Sequence, residues 1–136
     1  MKKLLILLSV LFIILHVSGC IFSGDDKADS KADSVAKALV GTWGWPIWGG
    51  VYSTLTLRSN GRFARHDYEI EKDGSRTLKW SGGGEFGVEL KEEGYNADKI
   101  YLNFWDEHLE LRSTTYYTFS INGNKLTLDG TVLTRE

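Results

Sequence analysis

The 136-residue chain has one cysteine, three histidines and no run of basic residues, and each shortage removes a class of protein. A single thiol leaves no intrachain disulfide to propose, so whatever folds here is held by packing alone. Two histidines remain once His16, inside an N-terminal apolar run, is set aside, and His66 and His108 have no ligand spacing for zinc. A haem would have to rely on His66 as its axial ligand, whereas a core histidine bonded to its neighbours is the commoner use of such a residue. No serine stands in a nucleophile elbow, and no glycine-rich loop opens a helix to cradle phosphate, since Gly82-Gly83-Gly84 lies between strand-like segments. Asp67, Glu69 and Glu71 recur at period two, which a solvated strand face explains without catalysis. The expectation is a protein with neither catalytic chemistry nor a metal or cofactor.

What is present begins with Lys2 and Lys3, followed by an almost unbroken apolar run from Leu4 to Val17. About fourteen apolar positions fall short of the roughly 20 that span a bilayer, and a signal peptide fits better. Its end, Val17-Ser18-Gly19-Cys20, resembles the lipobox of prokaryotic lipoproteins. That resemblance implies removal of residues 1–19 and a lipid on Cys20, where two acyl chains hold a protein to a membrane that one would hold only marginally. The expected location is the extracytoplasmic side of the cell membrane or of an outer membrane, and Ile21 is not the aspartate associated with inner-membrane retention. Taking Lys2 and Lys3 from sixteen basic residues leaves fourteen against eighteen acidic ones. That sign disfavours nucleic acid and anionic headgroups as partners.

Residues 20–38 contain the tandem Lys-Ala-Asp-Ser at Lys27 to Ser34 and little to bury, so they read as a flexible, solvated tether. A stub of helix over Ser34 to Leu39, capped by Asp33 or Ser34, is compatible with it. Residues 39–136 form the folded domain, enough for one modest core.

No window of that domain keeps a helical period; alternation between turn residues recurs instead. Val51, Leu55 and Leu57 share one face, Asn60-Gly61 makes a two-residue hairpin turn, and Ala64, His66, Tyr68 and Ile70 share a face of the return strand. Leu78 and Trp80 alternate, then Phe86, Val88 and Leu90 after the glycine bend, then Ile100, Leu102 and Phe104. Leu109 and Leu111 follow, then Tyr117, Phe119 and Ile121, with Asn122-Gly123-Asn124 turning into Leu126 and Leu128 and Asp129-Gly130 before the last strand. The pattern predicts an all-β domain of about eight short antiparallel strands, closed as a single up-and-down barrel so that no edge is left exposed.

The stretch Leu39-Val-Gly-Thr-Trp43 resembles the Gly-x-Trp of the lipocalins and of small lipocalin-like domains of prokaryotic lipoproteins, and the ending Tyr117 to Arg135 is similar to their last hairpin. The resemblance implies that Gly41, Trp43 and Arg135 close one end of the barrel, the arginine stacking on the indole. It also implies a small apolar or amphipathic ligand. Trp45 and Trp48 bracket Pro46 in a loop that Gly49 and Gly50 leave mobile, so they would either stand at the mouth or fold over the sheet as a satellite cluster. His66, Tyr68, Trp80, Phe86, Phe104, Tyr117 and Phe119 would line the interior. The alternative is a barrel filled by these same aromatics, acting through its surface as an envelope structural or protein-interaction module. Tyr101 and Trp105, out of phase with Ile100, Leu102 and Phe104, would form an exposed aromatic pair of the kind that marks such a surface.

Overall fold

The structure, a computed structural model, describes residues 26–106 and 109–136. The expected signal peptide, Cys20 and His108 lie outside the described residues. The contacts divide the chain after Lys31, and the unit Ala32–Glu136 holds the β-strands and the end of the one described α-helix.

That helix, α1 (Asp26–Leu39), replaces the flexible tether expected there, and the stub foreseen from Ser34 is only its last part. Alanine and lysine favour helix without any partner. Ala32, Val35, Ala36 and Leu39 also fall on one side at helical spacing and are the less exposed residues of that stretch. Leu39 is completely buried, and Val35 packs against the core.

Eight antiparallel strands follow: β1 (Gly41–Ile47), β2 (Val51–Leu57), β3 (Arg62–Ile70), β4 (Arg76–Glu89), β5 (Lys99–Asp106), β6 (Leu111–Asn122), β7 (Lys125–Leu128) and β8 (Thr131–Arg135). Each pairs with its sequence neighbour, and β8 returns to β1, so the chain makes a single closed up-and-down barrel. The glycine bend does not split the sheet, because Gly82, Gly83 and Gly84 sit within the long β4. Leu109 belongs to the turn before β6, and Leu111 starts a strand that runs on through Ile121. Asp129-Gly130 makes a two-residue turn with positive φ at both positions, as a type I′ hairpin requires.

The β2–β3 turn departs from the expected one and has a large consequence. Gly61 alone has positive φ, the Arg58 N–H donates to the Arg62 carbonyl, and the Gly61 N–H donates to the Arg58 carbonyl. The loop is therefore three residues, Ser59-Asn60-Gly61, with the glycine forming a bulge. Leu57 pairs with Phe63, not with Ala64. A one-residue slip reverses the faces of the whole return strand. Phe63, Arg65 and Asp67 stand opposite the buried Leu57, Leu55 and Ser53 and face the interior, while Ala64, His66 and Tyr68 face outward.

The core is concentrated at the end of the barrel where α1 joins β1. Leu39, Trp43, Leu55, Leu57, Phe63, Ile100, Leu126, Leu128 and Leu133 form one buried cluster there. Toward the other end the strands of β4 and β6 become exposed on both faces.

Candidate functional site

The closed end is built around one contact. Trp43 and Arg135 are directly opposite across β1 and β8, and the guanidinium lies 4.2 Å from the centre of the indole. Arg135 donates from Nη1 to the Val40 carbonyl at 2.9 Å and from Nη2 to the Ala38 carbonyl at 2.8 Å, while Trp43 Nε1 donates to the Leu39 carbonyl at 2.8 Å. Three carbonyls at the C-terminus of α1, which a helix leaves without internal partners, are thus satisfied by the barrel's first and last strands. Gly41 stands where the helix enters the barrel at φ 141°, and a Cβ there would strike the Arg135 guanidinium.

The other end has a different composition. Trp45 is not in a loop but in β1, opposite Ser53, on the same inner side as Trp43. Arg65 reaches between two indoles, 5.5 Å from the centre of Trp45 and 5.8 Å from that of Trp80. Trp80 in turn stacks on Phe104 at 5.7 Å. Asp67 holds the guanidinium through Nε at 3.1 Å and Nη2 at 3.4 Å, and accepts a hydrogen bond from the hydroxyl of the fully buried Ser53. Gly82 makes the stack possible, since a Cβ at that position would run into the rings of Phe104 and Trp80. The Arg65 side chain keeps 37% of its surface exposed, and its Nη1 makes no hydrogen bond among the described residues.

A hollow of about 610 Å³ runs along the glycine segment of β4; Trp80, Gly82 and Phe104 belong also to the stack, but Arg62, Ser81, Glu85, Asn103, Trp105 and Arg112 stand at the alternate positions that face outward, and Arg58, Arg62 and Phe63 carry it toward the β2–β3 turn. Consecutive residues of β4 and β5 contribute because the glycine run leaves backbone bare. The volume is within the usual range for small-molecule sites, about 300 to 1,000 Å³.

The residues expected to bind ligand are thus divided. Trp80, Phe86, Phe104, Tyr117 and Phe119 lie on the inner side, opposite Asp67, Leu102, Ser113, Ile100 and Leu128 respectively. His66 and Tyr68 lie outside, where their rings stack at 6.1 Å, so their place in the interior wall is corrected. Leu78 and Trp80, expected on one face, are on opposite faces, because a bulge opposite Asp67 and Tyr68 inserts Lys79 between them. Trp48 is 91% exposed in the β1–β2 turn and touches neither wall. Tyr101 pairs with Tyr116 at 5.9 Å, and Trp105 takes Arg112 at 4.9 Å, so the two outward aromatics do not meet each other.

Arg65 and Asp67 were hidden from the sequence reading by the same one-residue slip, and Ser53, in phase with Val51, Leu55 and Leu57 on β2, by its polar side chain. On the outside of the barrel, a second group has formed where Arg76 lies 4.3 Å over Tyr52 and pairs with Glu136 at 3.0 Å. The Arg76 hydrogen bond holds the Glu136 carboxyl below its ordinary pKa and Glu136 holds Arg76 above its own, while burial and then Glu136 raise the Tyr52 phenol. The group ties β2 and β4 to the chain's last residue.

Among the described residues no three His, Cys, Asp or Glu side chains gather to hold a metal, and no helix is long and apolar enough to cross a membrane. Compared with family models, curated proteins and solved structures, the chain matches none of them, so the lipocalin-like character rests on the closed eight-stranded barrel itself.

Proposed function

We propose that the protein is a prokaryotic lipoprotein, held on the extracytoplasmic side of a membrane by a lipid on Cys20, whose barrel binds one small amphipathic molecule at its open end. The reading is of a binding protein, not an enzyme. One observation carries it: a guanidinium sandwiched between Trp45 and Trp80, fixed by Asp67 and still partly open to solvent. The part of Trp80 left in solvent offers apolar surface to the body of a ligand, and the open edge of Arg65 takes a polar or anionic end.

The anchor rests on Val17 to Cys20, and Cys20→Ser is expected to abolish uptake of labelled fatty acid; equal labelling of both forms would remove it. For the ligand, native mass spectrometry of protein from its own host should show a retained small molecule. Titration with anilinonaphthalene sulfonate, an anion on an aromatic body, should give saturable binding that Trp80→Ala weakens at least tenfold and Arg65→Gln weakens too. Binding unchanged in both variants, with fold intact, would sink the proposal.

A second reading, a filled barrel that works through its surface as an envelope interaction module, is favoured by the half of β6 that, among the described residues, has a strand on one side only.

A further inference from the structure

The barrel closes as a ring of pairings, but the last hairpin is short. β7 pairs with β6 only from Phe119 to Asn122, whereas β5 pairs with β6 along Leu111 to Thr118. On the side away from β5, the segment Leu111–Tyr117 has no strand beside it among the described residues. The direction of its backbone groups follows from Thr118, whose N–H goes to the Asp129 carboxylate and whose carbonyl accepts from the Asp129 N–H, both on the β7 side. Successive residues of a strand alternate in direction. Arg112, Thr114 and Tyr116 therefore present their N–H and C=O groups to the open side, and none of these groups has a hydrogen bond among the described residues.

Natural sheets guard such edges with lysine, proline or a bulge. This barrel does so elsewhere. The Arg76–Ser81 part of β4, which runs beyond the end of β5, carries Lys79 at a bulge. β1 leaves β8 at Pro46, which has no N–H to offer. The β6 edge, Leu-Arg-Ser-Thr-Thr-Tyr-Tyr, has no lysine, no proline and no bulge, and its threonines and tyrosines favour extended pairing. Its ends are fixed, by Glu110 at φ 50° on one side and by the Asp129 cap on Thr118 at the other.

We propose that this edge is an interface for a second copy of the chain, joined antiparallel about a two-fold axis at Thr114. In that register Thr114 faces Thr114 of the second copy and Arg112 faces Tyr116, so every outward N–H and C=O of Arg112, Thr114 and Tyr116 finds its partner across the axis. A shift by two residues leaves groups of each copy unpaired. Charge agrees with the centred register: the lone cation of the edge falls opposite an aromatic ring, and no like charges oppose. The outer faces agree as well. Arg112 with Trp105 and Tyr116 with Tyr101 flank the edge, and the joined β5–β6 hairpins make one four-stranded sheet that carries these pairs from both copies. The outward-facing Tyr101 and Trp105 thus acquire a role that the ligand site does not give them.

The test is sedimentation of the full chain in detergent together with amide hydrogen exchange. The wild type is expected at twice the monomer mass, with the amides of Arg112, Thr114 and Tyr116 exchanging more slowly as protein concentration rises. Thr114→Pro removes an outward N–H that no bond within the fold uses, and Thr114→Lys sets two ammonium groups face to face across the axis. Both variants should be folded and monomeric, with a denaturation midpoint that no longer depends on protein concentration; if Thr114→Pro unfolds the chain, Thr114→Lys decides. A monomeric wild type overturns the proposal, including one that captures an extended peptide instead. So does a dimer in which those three amides exchange as fast as in the monomer, or one that Thr114→Lys leaves intact.

Discussion

The two ends of this barrel use the same chemical device, an arginine stacked on tryptophan, for opposite purposes. At the closed end Arg135 lies on Trp43, and both spend their polar groups on the carbonyls of α1, inside a cluster that reaches zero exposure at Leu39, Trp43, Ile100 and Leu126. At the open end Arg65 lies between Trp45 and Trp80, is held by a carboxylate rather than by backbone, and keeps a third of its side chain in solvent. One stack is finished by the protein itself. The other has surface left over, and the difference lies in what surrounds it: a helix end covers the first, and no described element covers the second.

The contrast is sharpest in stability. Trp43→Ala is expected to cost about 3 to 5 kcal/mol, as a large aromatic removed from a well-packed site, and Arg135→Ala less. The two losses should fall short of additive, because each variant already destroys the shared contact. Chemical denaturation of the two single variants and the double variant gives the coupling. Additive losses would mean that the closed end does not depend on the stack, and the comparison would fail at its stronger pole. At the open end Trp80, 43% exposed, should cost clearly less when changed to alanine.

Much of this could be read from the sequence, and the failures have definite causes. Strand number and closure followed from alternation between Gly, Asn and Asp turns, which local backbone chemistry controls. Trp43 and Arg135 were visible only through the resemblance of Leu39 to Trp43 and of the last hairpin to lipocalin-like domains. The faces of β3 were not, because Ser59-Asn60-Gly61 reads equally well as a two- or three-residue loop, and one residue decides which side faces in. The apolar set Ala64, Tyr68 and Ile70 outweighed Phe63, although Arg65 and Asp67 are the residues that enter the barrel. Polar residues with partners inside break the rule on which alternation relies. The bulge at Lys79 is also silent in sequence, and it separates Leu78 from Trp80. Trp45 was misplaced because Pro46 suggested a loop, whereas a proline is tolerated where β1 leaves its neighbour.

A smaller effect separates the inside of the barrel from its outer surface. The Arg76–Glu136 pair joins β4 to the chain end with side chains 41% and 29% exposed, so screening by solvent keeps its worth to about 0.2 to 1 kcal/mol. Glu136 has its pKa lowered in the fold, first by the Arg76 hydrogen bond. A lowered carboxylate stabilises the fold above its unfolded pKa, and the gain is lost as pH falls through the folded value. The wild type should therefore exceed Arg76→Ala in stability at neutral pH, and the gap should close below the usual glutamate range of about 4 to 4.5. Denaturation at several pH values measures it. A gap that persists unchanged in acid would assign the effect to the stacking of Arg76 on Tyr52, 4.3 Å away, and not to the ion pair.

The smallest expected effect divides two neighbouring indoles of the open end. Trp45 stands inside β1 against Arg65 and packs on the core, while Trp48 is 91% exposed between Ile47 and the positive-φ pair Gly49 and Gly50. A side chain in solvent contributes little to folding, so Trp48→Ala should shift stability by no more than about 0.5 kcal/mol. It should leave anilinonaphthalene sulfonate binding unchanged as well. Trp45→Ala should lower both. Iodide quenching gives an independent measure, since loss of Trp48 should remove the most accessible emission while loss of Trp45 should not. If Trp48→Ala instead weakens the dye as much as Trp45→Ala does, the turn folds onto the bound molecule, and the open end gains a lid that the unliganded barrel holds away.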